Sequence, residues 1–274
     1  MSKNISVGIE KVKITGASVA TFKGQNGEST YISLKMEKVE SNAPTDMVEE
    51  NNDDLDLLGS LVKSDDNNSF PIWFPNMTDN SGNPLLNIKK VPVTGEEQCS
   101  KFTTYLSHIL TPFFGNQTSK KLGKEFNPLV LSNVDTTSDI SRKEQIQLIL
   151  KNFYENSLTE AMTLIANGFV DAINESVSSG KVLYVKFLRK SQKDNSPTLP
   201  PISEILNSFV EEAVGNTPTT LKYNNYEKGL DKDGKPKTDD KSYDKSSPFS
   251  YQSTAFSEEE IEEAKARIEG VFEN

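Results

Sequence analysis

Between Glu10 and Val39 hydrophobicity alternates with the two-residue period of an extended strand, and no other feature limits the fold of this chain as much. Over Ser29 to Val39, Ile32, Leu34 and Met36 fall on one side, and Tyr31, Ser33, Lys35 and Glu37 on the other, the pattern of a half-buried strand. In the stretch before it, Val12 and Ile14 alternate with Lys11 and Lys13. Gly16-Ala17 then breaks the pattern before Val19 to Phe22, as a β-bulge or sharp bend does. The intervening Lys23-Gly24-Gln25-Asn26-Gly27-Glu28 supplies two glycines and an asparagine for a tight turn. The prediction is a long, bent hairpin with cations and an aromatic ring on its polar face, the way many small β-barrels begin.

Residues 40–68 follow as an acidic loop rich in Asn, Asp, Glu and Ser, with one apolar patch at Leu55 to Val62. Order is expected again at Phe70-Pro71-Ile72-Trp73-Phe74-Pro75, an aromatic strand that its prolines confine to an edge or a strand end. A turn at Asp79 to Pro84 and a short strand near Leu85 to Val93 come next. Thr94 and Glu97 form a capping box ahead of Phe102, Leu106, Ile109 and Leu110, with a stop near Pro112. Gly115 to Asp139 reads as irregular, with a basic portion at Lys120, Lys121 and Lys124. Ser141 and Glu144 make a second capping box, and Ile146, Leu150 and Phe153 and then Met162, Ile165, Phe169 and Ile173 keep helical spacing up to Gly180. Lys181 to Lys190 is the strongest single strand. It sets Leu183, Val185 and Phe187 against Tyr184, Lys186 and Lys190, although Val182 and Leu188 also fit a central strand covered on both sides. A short helix near Ile202 to Val214 and a closing strand at Leu221 to Tyr226 complete the body. Residues 228–255 read as a polar, flexible linker and residues 256–274 as an acidic helix opened by Ser257 and Glu260, with Ile261, Ala264, Ile268 and Phe272 on its apolar side.

Charge is segregated along this order. Residues 40–68 carry a net −8 and residues 256–274 a net −5, so the remainder of a chain of net −10 is at +3. A mildly basic body lifts the objection that an acidic protein avoids polyanions. Cys99 and His108 are each the only residue of their type, which excludes an internal disulfide and a Cys/His zinc cluster and fits a cytoplasmic chain. The N-terminal residues have no apolar signal core and no apolar run is long enough to cross a membrane, so no membrane partner is expected.

Motifs with their own chemistry are absent. Gly24-Gln25-Asn26-Gly27 lacks the further glycine and following helix of a phosphate loop. In an EF-hand register, Asp231, Asp233 and Gly234 would put Gly229 at the first ligand position, so neither a cofactor nor a metal is expected. Cys99 reads as a small core residue on a helix, and the many carboxylates as solvated surface, so the chain is expected to be no enzyme. What remains is cations and rings interleaved on strands: Lys11, Lys13, Tyr31 and Lys35 on the hairpin, Tyr184, Lys186 and Lys190 on the central strand, and Lys222, Tyr223 and Tyr226 on the last. Single-stranded nucleic acid is recognised by this pairing, because lysines offset phosphate charge while flat rings stack on unpaired bases. Lysines also decorate the exposed face of any half-buried sheet, and tyrosines fill its rim.

The bulged N-terminal hairpin, the basic body interrupted by helices, the polar linker and the acidic segment ending in Gly270-Val271-Phe272-Glu273-Asn274 resemble phage-type single-stranded DNA-binding proteins. The resemblance implies an α+β fold: an OB-like antiparallel β-barrel over residues 1–227 with a helical insertion at about 95–180 and an acidic C-terminal segment. It implies a role in viral DNA replication or recombination, in the host cytoplasm. Glu258, Glu259, Glu260, Glu262, Glu263 and Phe272 match the family's tail, which implies that they compete with DNA for the groove or recruit replication proteins. Both a monomer and a homo-oligomer are compatible with this reading. Two other classes fit the same composition: a phage virion or assembly protein, and a protein-binding adaptor docking through Leu55 to Val62 and the terminal helix.

Overall fold

A computed structural model describes residues 5, 8–24, 27–39, 68–79, 81–189, 197–205 and 208–211. The acidic loop over residues 40–67, Lys190, the expected strand at Leu221 to Tyr226, the linker and the acidic C-terminal segment lie outside the described residues. The chain is α+β: the described residues hold six strands in one sheet, with helices gathered between the third and fourth of these strands and one further helical turn after the fifth. Strands β1 (Gly8–Gly24) and β2 (Gly27–Lys38) form the expected hairpin, β3 is Ser69–Trp73, β4 Val182–Arg189, β5 Pro197–Thr198 and β6 Phe209–Glu211. The strand order is β3-β2-β1-β4-β5, with β6 also on β4. Strand β4 pairs antiparallel with β1, β5 and β6. Pro71 sits in the edge strand β3, where a missing N–H does least harm.

The chain divides into two compact units. The first holds residues 1–15, 35–70 and 179–250, and the second residues 16–34, 71–178 and 251–274. In the first unit β1 pairs with β4 so that Val12 faces Leu183, Glu10 faces Val185 and Lys11 faces Tyr184. Directly opposed residues point to the same face of a sheet. Val12, Ile14 and Met36 therefore join Leu183, Val185 and Phe187 on one buried face, and Phe70 meets Phe187 with ring centroids 4.8 Å apart. Lys38 and Glu10 close one end of that face as an ion pair of 2.8 Å.

Helices dominate the second unit: α1 (Gly95–Phe114), α2 (Thr118–Leu122), α3 (Phe126–Ser132), α4 (Arg142–Asn156) and α5 (Leu158–Val177). Helix α6 (Ile202–Ile205) falls in the first unit. Both capping boxes form as expected, with the hydroxyls of Thr94 and Ser141 accepting from the N–H of Glu97 and Glu144, and both carboxylates returning to the cap N–H. Helix α5 is the centre of this layer and packs on α1, α2, α3 and α4, burying Met162, Ile165, Phe169 and Ile173. Strand β1 is tied to it at Ala17, since the Asn174 side-chain amide accepts from the Ala17 N–H at 3.0 Å and donates to the Ala17 carbonyl at 3.2 Å. Those backbone groups are thereby satisfied by a side chain, and the strand runs without interruption through Gly16-Ala17, where the sequence pattern suggested a bulge or bend.

Several expectations are corrected. Gly115 to Asp139 is not irregular but contains a 3-10 turn at Gly115–Gln117 and helices α2 and α3. Helix α1 passes Pro112 and ends at Phe114. Leu85 to Val93 forms isolated bridges and turns rather than a strand. The helix expected over Ile202 to Val214 is the single turn α6, and Phe209–Glu211 pairs with β4 instead.

Candidate nucleic-acid interface

In the first unit, alternation puts Lys11 and Lys13 of β1, Lys35 and Glu37 of β2, and Tyr184 and Lys186 of β4 on the face opposite the buried core. Lys35 is exposed and Lys11 and Lys13 partly so. Tyr184 and Lys186 are each only 8% exposed, which fits the reading of this strand as central and covered on both sides rather than open on a polar face. Strand β4 is flanked by β1 on one edge and by β5 and β6 on the other, and Val210 stands directly opposite Tyr184. The outer face is thus open at β1 and β2 and covered at β4. The open part offers three ammonium groups, with the Glu37 carboxylate among them, and so can offset phosphate charge. Lys190, Lys222, Tyr223 and Tyr226 lie outside the described residues.

Tyr31 belongs to the second unit, so the structure does not group it with Lys11, Lys13 and Lys35. It lies against Trp73 of β3, ring centroids 4.7 Å apart and tilted by 44°, and Trp73 meets Phe22 of β1 edge to face at 6.3 Å. Tyr31 and Trp73 are partly exposed, and Phe22 is 56% exposed. Leaving a phenylalanine in water forgoes about 1.5–3 kcal/mol of burial, while aromatic pairs return only about 0.5–1.5 kcal/mol each beyond their area. The cluster is therefore a surface of flat rings held in fixed orientation by one another. Sequence reading missed Phe22 and Trp73 here. The available signal was the chain's single tryptophan, placed in an edge strand instead of the core.

The basic stretch after α1 is largely neutralised within the second unit. Lys121 pairs with Glu175 at 2.6 Å and lies 5.0 Å over the Phe114 ring, and Lys124 pairs with Asp171 at 2.6 Å. Cys99 is fully buried in α1, and burial pushes its thiol up to about 12. His108 lies nine residues further along the same helix, which at about 100° per residue puts it on the opposite side. The two cannot act as nucleophile and base. Among the described residues no group of three or more His, Cys, Asp or Glu side chains could hold a metal, and no helix is long and apolar enough to cross a membrane. Comparison with protein-family models, curated proteins and solved structures returns no match, so the chain's own surfaces carry the functional argument.

Proposed function

We propose that this chain is a non-enzymatic single-stranded DNA-binding protein of viral DNA replication or recombination, built on an OB-like sheet. The observation that carries this reading is the Phe22, Trp73 and Tyr31 cluster, three rings kept at the surface of one unit. Every base has a π-face, so such a platform takes unpaired bases of any sequence, and in a duplex those faces are already stacked. The first unit by itself carries Lys11, Lys13 and Lys35 on its outer face, groups of the kind that contact phosphates. In this reading Glu258, Glu259, Glu260, Glu262, Glu263 and Phe272 compete with the strand or bind replication proteins.

Trp73 makes the test direct, because it is the chain's only tryptophan. Titration with oligo(dT) quenches its fluorescence, and labelled oligo(dT) binds with an affinity that falls as salt rises. Trp73→Ala and Tyr31→Ala each weaken binding by about 1–3 kcal/mol. Fluorescence that does not respond, with unchanged affinity in correctly folded variants, would remove the platform from the function. Equal affinity for duplex and single strand would remove the single-strand reading.

A further inference from the structure

In the second unit the turn from Leu85 to Val93 holds three of the eight large apolar side chains that are exposed among the described residues. Ile88 is 69% exposed, and Leu86 and Val91 are 48% exposed each. Single exposed aliphatics are ordinary, but three within six residues on one turn are not. The turn is rigidly built. Leu86 bridges Pro92, the Asn87 N–H donates to the Val91 carbonyl at 2.9 Å, and the Val93 N–H donates to the Leu85 carbonyl at 2.8 Å. The Asn87 side chain accepts from the N–H groups of Lys89 and Val91 and donates to Glu97 Oε1, which fastens the turn to the capping box of α1.

The tip, Ile88-Lys89-Lys90, is a three-residue loop whose last residue takes the left-handed conformation, a position that favours glycine. Lys90 occupies it with φ 58°. A lysine at a backbone position that favours glycine is a reason to look for function. Lys89 and Lys90 are both exposed at this tip.

We infer that this finger is a second nucleic-acid contact, a wedge that sets Ile88 against an opened base step at a junction of duplex and single strand, with Lys89 and Lys90 on the flanking phosphates. The inference rests on the reading of the chain as a single-stranded DNA-binding protein. Aliphatic side chains are used in this way, inserted between base steps that they partly unstack. A protein partner fits less well. Three partly exposed aliphatics make a patch on the order of a few hundred Å², whereas a stable protein interface takes about 800 Å² from each side. The clustered positive charge instead matches a polyanion.

The test compares binding of oligo(dT) with binding of a forked substrate, a hairpin duplex carrying a single-stranded dT arm, by wild type, Ile88→Ser and Lys90→Gly. The wild type binds the fork more tightly than oligo(dT). Ile88→Ser lowers fork affinity by roughly 5- to 10-fold and oligo(dT) affinity by less than about 2-fold, in line with loss of one base contact. Lys90→Gly relieves the backbone, so it raises the protein's own melting temperature while weakening the fork complex, which a merely structural residue would not do. Unchanged fork affinity in both variants, or no fork preference in the wild type, overturns the wedge. Trp73 quenching by oligo(dT) would then still support the parent reading. Absence of oligo(dT) binding by the wild type overturns both. Loss of self-association in Ile88→Ser with fork affinity intact assigns the finger to a protein contact and also overturns the wedge.

Discussion

Lys101 sits in the middle of α1 with only 4% of its surface exposed. Burial pushes its ammonium below the ordinary 10.5, and the Glu97 carboxylate, one turn earlier, only partly opposes this. A cation held this way costs stability, because the folded state gives up hydration that the unfolded chain keeps. At neutral pH the ammonium is charged in both states and the cost is present. As pH rises through the lowered value toward 10.5, the folded state sheds its proton first and the cost is relieved. Lys101→Met keeps the stem and removes the charge, so it raises the melting temperature at pH 7, and its advantage over wild type narrows as pH approaches 10. Paired thermal melts across that range check this, and a variant less stable than wild type at pH 7 would show that the ammonium is compensated. Nothing local in the sequence marks Lys101 as buried. It lies on a helix that packs on several neighbours, and only tertiary contact shows which of its sides are covered.

Helix α5 states the same lesson for an element. Its apolar spacing and the stop at Gly180, where φ is 61°, are local properties, and both are legible in the chain. So are the capping boxes, which join a side chain to backbone three residues away, and the alternation of β2. Helices α2 and α3 span only Thr118–Leu122 and Phe126–Ser132, too short to display a period, and Pro128 reads as a breaker although it lies in the tolerant first turn of α3. Strand β6 exists because β4 offers an edge, and the Tyr31 and Trp73 contact exists because two strands meet in one register. Neither is written locally. Gly168 in α5 shows how tightly the layer is packed, since a Cβ there would stand 2.5 Å from the Leu122 carbonyl oxygen and 2.9 Å from that of Lys121. Both atoms are backbone at the end of α2. Alanine should gain about 1 kcal/mol of helix propensity and lose about 1–3 kcal/mol to overpacking, and with rigid backbone as the obstacle the loss wins. Gly168→Ala therefore lowers the midpoint of chemical denaturation. A higher midpoint would mean that α2 yields.

For the whole molecule the segregation of charge sets the last expectation. Outside residues 40–68 and 256–274 the chain is at +3, and residues 228–255 tether the segment of net −5 to it, so that acid stays at raised effective concentration near the cationic surfaces of the same chain. Phosphates and glutamates then compete for the same lysines. Deleting residues 252–274 should tighten oligo(dT) binding at low salt, and the gain should shrink as ionic strength rises toward about 0.15 M, where the screening length falls to about 8 Å. The segment also carries Ile261, Ala264, Ile268 and Phe272 at helical spacing, which fits packing on the body or on a second copy equally well. The two roles separate on one truncated protein. Competition predicts tighter binding with an unchanged melting temperature, whereas a structural role predicts a lower melting temperature or a smaller assembly with no gain in affinity. If affinity rises but the rise is the same at every salt concentration, the released lysines are not what the segment covers, and the competition account fails.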